Sequence, residues 1–201
     1  MITVRDAKRH PGALPFIIAS FLYQDAIGTI VSFMAIYAVK AMGFARGSEI
    51  TLFLVLTVPA IFGSYIVGRL VDHFGARHTL VAIIVAWIVL LVAMVLVPTQ
   101  GGFWIVGLGI GLIFGGVPTA ERPLLLALVP VEEAGRYFSL MLLSARAAAV
   151  AGPLVWGLTV DGLEPGLGTG IAYRAAVMTV AAMFALSLLL LRYVPGRPRV
   201  A

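Results

Sequence analysis

The stretch GRLVDHFGARHTL, Gly68 to Leu80, crowds Arg69, Asp72, His73, Arg77 and His78 together between long apolar runs. Two glycines, Gly68 and Gly75, punctuate it. The rest of the chain is unlike this knot. It is 61% hydrophobic and only 11% charged, with a mean hydropathy of +1.07. A soluble domain is about 45–50% apolar and about 25% charged. So apolar a chain cannot hide its surface from water, and lipid must solvate most of it. The knot is then a polar turn between two membrane crossings.

Working outward, six apolar stretches reach the roughly 20 residues that a bilayer-spanning helix needs: 15–39, 49–71, 78–97, 103–128, 134–160 and 172–193. They lack the period-two alternation of strands and far exceed the roughly 9–11 residues of a barrel strand. A helix satisfies its own backbone hydrogen bonds in lipid. The expected fold is therefore an all-α membrane protein of six transmembrane helices. The first run is too long for a signal-peptide core and is read as a retained span. The chain has no cysteine, which excludes disulfides and thiol chemistry.

The net charge is +5. In a membrane protein basic residues mark the cytoplasmic side. Six crossings put Arg5, Lys8, Arg9, Arg69, Arg77, Arg136, Arg192, Arg197 and Arg199 on one side, against Lys40, Arg46 and Arg174 on the other. Both termini are expected in the cytoplasm, with tails over 1–14 and 194–201 flanking a bundle over 15–193. This placement accounts for the basic residues without nucleic acid, so no nucleic-acid partner is expected. Ser48 is expected to cap the second helix, with Glu49 in its first turn. DGLEPGLGTG, 161–170, reads as a flexible outer loop.

Within the knot, Gly68 lets helices approach and Gly75 permits a turn that a side chain would obstruct. Asp72 can accept bonds from free amides at a helix start, and Arg77 can meet an acid or lipid headgroups. The order Gly68-x-Leu70-x-Asp72-x-x-Gly75-x-Arg77-x-x-Leu80 resembles the signature loop of the major facilitator superfamily, found between the second and third spans of a six-span half. The resemblance implies a latch: Gly68, Asp72, Gly75 and Arg77 would gate the conformational cycle without touching substrate. His73 and His78 lack a plausible third ligand, and no metal or other cofactor is expected.

Three further stretches extend the resemblance. FLYQDAIGTI (Phe21–Ile30), GGVPTAERPLLLALVP (Gly115–Pro130) and RYFSLMLLSARAAAVAGPLVWG (Arg136–Gly157) together resemble the carboxy-terminal half of one branch of that superfamily. The branch contains the vacuolar amino-acid effluxers of autophagy and bacterial members. Ala26 stands where glycine is usual, Pro118, Glu121 and Pro123 replace glutamine and serines, and Arg146 stands where lysine is common. The resemblance implies a three-plus-three inverted repeat in each half and twelve spans in all. This chain carries about six, so a second six-span half or a homodimer is expected. A fragment and a genuine half-size member both remain open.

Asp25, Glu121, Arg122 and Arg146 fall inside the expected spans. Charges there are costly, so they face cavities and pair. At 1.5 Å per residue, Asp25 lies about 15 Å deep, Arg146 about 18 Å and Arg122 about 9 Å from the same side. One reading is a central site, with Asp25 carrying a proton or binding a cation and Arg146 or Arg122 holding a carboxylate. The other is a buried Asp25–Arg146 pair that orders the bundle. Tyr23 and Gln24 flank Asp25 and can add polar contacts. Glu121 and Arg122 read as a gating pair near the cytoplasmic mouth. Gly107, Gly111 and Gly115 form a small-residue stripe for helix contact. Pro118 and Pro153 are expected to kink their helices.

No HExxH, phosphate-loop or nucleophile-elbow motif is present, and the chain is not expected to be an enzyme. The expected function is secondary transport of a small solute by alternating access, with amino acids suggested by the resemblance and a proton as candidate coupling ion. A bacterial inner membrane is the expected location. The alternative is a non-transporting membrane subunit or assembly factor that kept a facilitator-like fold.

Overall fold

A computed structural model describes residues 12–45, 47 and 49–195. The basic amino tail, Arg46, Ser48 with its expected cap, and the tail beyond Pro195 lie outside the described residues, as does the side chain of Glu49. The described residues form seven helices and no strand. These are α1 (Ala13–Met42), α2 (Glu49–Phe74), α3 (Ala76–Leu96), α4 (Gln100–Phe114), α5 (Gly116–Leu128), α6 (Val131–Leu167) and α7 (Thr169–Leu191).

Five segments are long and apolar enough to cross a membrane: α1, α3, α4 and α5 taken together, α6 and α7. The 26-residue α2 turns Leu54, Val58, Ile61, Phe62 and Tyr65 outward, each more than half exposed. Large exposed apolar patches are rare on soluble monomers, and here they match a protein whose outer solvent is lipid.

The break between α4 and α5 follows from Pro118. A proline inside a helix removes one N–H and its ring presses on the carbonyl four residues back. That carbonyl belongs to Phe114, where α4 stops. Pro118 then sits in the first turn of α5, where a missing N–H matters little. The stretch 161–170 corrects the sequence reading. It is no loop: α6 runs through Pro165 to Leu167, and only Gly168, at φ 82°, interrupts the chain before α7. Thr169 Oγ1 donates to Glu164 Oε1 across this corner at 2.7 Å. At 37 residues α6 is about 55 Å long, well beyond the roughly 30 Å of hydrocarbon. Its glycine-rich end can therefore stay helical outside the lipid.

α1 packs on α6 and α7, α2 packs on α4 and α5, and α3 bridges to α7. Trp87 of α3 stacks on Phe184 of α7 at 5.2 Å, and Phe33 of α1 stacks on Trp156 of α6 at 5.1 Å. A side chain at Gly63 of α2 would run into the backbone carbonyl of Leu112, and one at Gly115, between α4 and α5, would lie 2.6 Å from the Ala60 carbonyl of α2. Small residues let these backbones touch, as lipid-embedded packing requires.

Both ends of the bundle can be traced. Gly12, Leu128 and Pro195 meet at one end, where Arg77 also reaches Leu191. At the other end Gln100 Nε2 donates to the carbonyls of Met42 and Gly43, at 3.2 and 3.1 Å. The described chain thus starts and finishes at the same end.

Candidate functional site: two polar seats on one helix

Successive helical residues project about 100° apart, and residues three or four apart share a face. Ser20, Tyr23 and Gln24 therefore line one side of α1, while Asp25 and Thr29 line another. The first side meets α5. Glu121 is buried there at 4% exposure. Its Oε1 accepts from Ser20 Oγ and from Tyr23 Oη, both at 2.6 Å. Its Oε2 accepts from Gln24 Nε2 at 2.8 Å. Three donors replace the water that a buried carboxylate would otherwise lose.

This cluster forms one wall of a cleft of about 560 Å³ between α1, α5 and α6. Arg122, exposed and next to Glu121, lines the same cleft with Ser139 and Ala145. The cleft size lies in the range of about 300–1,000 Å³ that holds small ligands.

The second side of α1 meets α6. Asp25 is 1% exposed, and its Oδ1 accepts from the backbone N–H of Gly152 at 2.9 Å. The two helices touch here because residue 152 is glycine. A Cβ on it would run into Thr29 Oγ1 and lie 2.7 Å from Asp25 Oδ1.

This geometry revises the arrangement expected from sequence. Asp25 and Arg146 do not pair: the carboxylate is turned into the α1–α6 contact, whereas Arg146 is exposed. Tyr23 and Gln24 do not support Asp25 either. They hold Glu121, because Tyr23 lies about 160° and Gln24 about 100° around α1 from Asp25. Glu121 and Arg122 diverge as neighbours on a helix must, one into the core and one into the cleft. Ser20, Thr29, Ser139 and Gly152 were not singled out from sequence. The helical spacings 20–23–24 and 25–29 are the signal by which the first two could have been found.

In the knot, Gly75 stands between α2 and α3 with φ 84° and ψ 152°, a region open essentially to glycine. Arg77 is half-buried and its Nη2 donates to the Leu191 carbonyl at 3.2 Å. It serves the carbonyl end of α7, where a cation is favoured. Asp72 is exposed, and Gly68 is half-buried beneath Thr119. His73 and His78 join no group able to hold a metal among the described residues.

Long apolar helices and an open cleft that presents Glu121 and Arg122 define a membrane-embedded helical protein. The chain belongs to the vacuole effluxer Atg22-like family, whose model matches residues 1–197. It is 25% identical over 193 residues to an uncharacterized MFS-type transporter, YxiO, of Bacillus subtilis, covering 96% of this chain and 43% of that protein. It is 25% identical over 175 residues to autophagy-related protein 22 of Pichia angusta, covering 78% of this chain and 30% of the relative. For the protein of the same name in Kluyveromyces lactis the values are 26% over 174 residues, 79% and 35%. The chain thus spans less than half the length of these relatives. The resemblance to the facilitator superfamily and its autophagy-related branch, drawn from the knot and three span motifs, agrees with this membership.

Proposed function

We propose that this chain is a six-span half of a major facilitator-type transporter that moves a small solute by alternating access. Its partner is a second six-span half, supplied by a longer parent chain or by another copy. The observation that carries the reading is Glu121, a buried carboxylate held by three donors of α1 at the wall of a cleft that also presents Arg122. Such a site offers a negative and a positive group within one solute-sized space. An amino acid fits it, with its ammonium toward Glu121 and its carboxylate toward Arg122.

The packing supports a three-plus-three repeat with α2 as the remaining span. Exchanging the first three crossings for the last three maps the α1–α6 contact onto α4–α5 with α2. The same exchange leaves the α3–α7 contact in place. Sites at such repeat interfaces suit rocking transport. Both described ends lie together, which supports termini on one side, and the charge bias makes that side cytoplasmic. Gly68, Asp72, Gly75 and Arg77 form the latch: Arg77 fixes the turn to α7, and exposed Asp72 is free to meet the second half. A bacterial inner membrane is the proposed location.

The test is amino-acid counterflow in proteoliposomes holding the chain with its second half. Glu121→Gln puts an amide N–H₂ against the donors and should lower flux at least ~10-fold, the equivalent of one lost hydrogen bond to a charged group. Wild-type flux in E121Q would overturn this assignment. If folded E121Q, R122A and R146A proteins all keep full biological function, the non-transporting subunit replaces the transporter.

A further inference from the structure

The seat of Asp25 on α6 holds more polar capacity than its one hydrogen bond uses. Asp25 Oδ2 and Thr29 Oγ1 are both buried with no hydrogen-bond partner, and both residues are 1% exposed. They lie one helical turn apart on the same face of α1. Buried polar atoms without partners are uncommon in folded proteins and call for an explanation. On the facing helix, Gly152 N–H donates to Asp25. The next residue is Pro153, inside α6. It has no N–H, so the carbonyl of Ala149 lacks its helical donor. Two unpartnered oxygens of α1 thus lie beside a turn of α6 that is short of one donor.

We propose that this seat binds a small monovalent cation, Na⁺, between α1 and α6. Asp25 Oδ2 and Thr29 Oγ1 are its side-chain ligands, and the carbonyl of Ala149, freed by Pro153, adds a backbone oxygen. Hard cations take oxygen ligands, and a carboxylate, a hydroxyl and a proline-freed carbonyl make an all-oxygen set. One carboxylate balances one positive charge. A divalent ion would leave an uncompensated charge in the interior. A proton answers the geometry less well. Placed on Oδ2, it would leave Thr29 Oγ1 without a partner, since the two atoms are not bonded to each other. An ion between them satisfies both. The site lies wholly within this chain and stands whether or not the cleft carries a solute.

The test uses the purified chain in lipid nanodiscs, with no transport assay. Thermal melting is followed in NaCl, KCl and choline chloride at equal ionic strength. Na⁺ at tenfold its dissociation constant should raise the melting temperature by on the order of 3–6 °C over choline. Thr29→Val keeps the shape and removes the hydroxyl, and should weaken the Na⁺ response at least ~10-fold. Asp25→Asn should abolish it; if that variant does not fold, T29V decides. Equal melting of the native chain in Na⁺ and choline overturns the proposal. So does a full Na⁺ response in T29V, or a stabilisation in choline at low pH that Na⁺ does not add to.

Discussion

Replacing Gly152 by alanine puts the α1–α6 contact under direct strain. The new methyl would meet Thr29 Oγ1 and stand 2.7 Å from Asp25 Oδ1 and 3.0 Å from Asp25 Cγ. Neither neighbour is the loose end of a flexible side chain: both residues are buried on α1. Overpacking of this kind costs about 1–3 kcal/mol. If the carboxylate withdraws, its bond from Gly152 N–H goes too, and a bond to a charged acceptor is worth about 1.5–3 kcal/mol. Against this, alanine in a helix gains up to about 1 kcal/mol over glycine. The expected net loss is about 2–5 kcal/mol. Gly157 and Gly162 lie on the same helix with nothing near a prospective Cβ. G157A and G162A should therefore be neutral or stabilising. Reversible unfolding in mixed micelles would measure all three. The double variant G152A/T29A, which removes the first obstacle, should recover about 1 kcal/mol or more, as coupled neighbours do. G152A as stable as G157A, or strictly additive with T29A, would refute the close approach.

Gly75→Ala should cost about 1–3 kcal/mol, because φ 84° with ψ 152° is closed to a side chain; unfolding curves of the single variant would show it. Arg77→Ala removes the donor to the Leu191 carbonyl and should cost about 1–2 kcal/mol, with hydrogen exchange rising first at the end of α7. Asp72→Asn should leave the melting temperature within about 2 °C, because the carboxylate is exposed. The same variant should slow counterflow once the second half is present, and an unchanged rate would remove Asp72 from the latch.

The membrane-embedded helical class was legible because composition and run length decide it without any knowledge of packing. Gly75 was legible for a similar reason: a glycine between two spans signals a turn by itself. What sequence could not fix was which way each polar residue faces. Depth along a helix follows from counting, and counting put Asp25 and Arg146 level. Azimuth decides contact, and it depends on which helix packs where. Asp25 faces α6 at Gly152, while Arg146, six residues before Gly152, is about 120° away around α6. Position along the chain also misled at 161–170, where glycines and a proline suggested a loop. Helical hydrogen bonding persisted there to Leu167, since Gly and Pro lower helix stability without forbidding a helix near its end.

The two seats share one rigid element, and this constrains how the bundle can move. Ser20, Tyr23 and Gln24 fasten α1 to α5 through Glu121, while Asp25 fastens it to α6 at Gly152, with Thr29 packed against the same glycine. A helix cannot turn one face without turning the other. Any rotation of α1 that releases Glu121 also drags Asp25 across Gly152, where no side chain stands in the way. The neighbouring helices are built to yield at the matching level: α5 begins at the break set by Pro118, and α6 carries Pro153 beside its contact. A change of charge or ligand at one seat is therefore felt at the other through α1 itself. Measured as a double-mutant cycle, E121Q and T29V should couple by more than about 0.5 kcal/mol although their side chains do not touch. Strict additivity would mean that the two faces act independently, and α1 would lose its part in linking them.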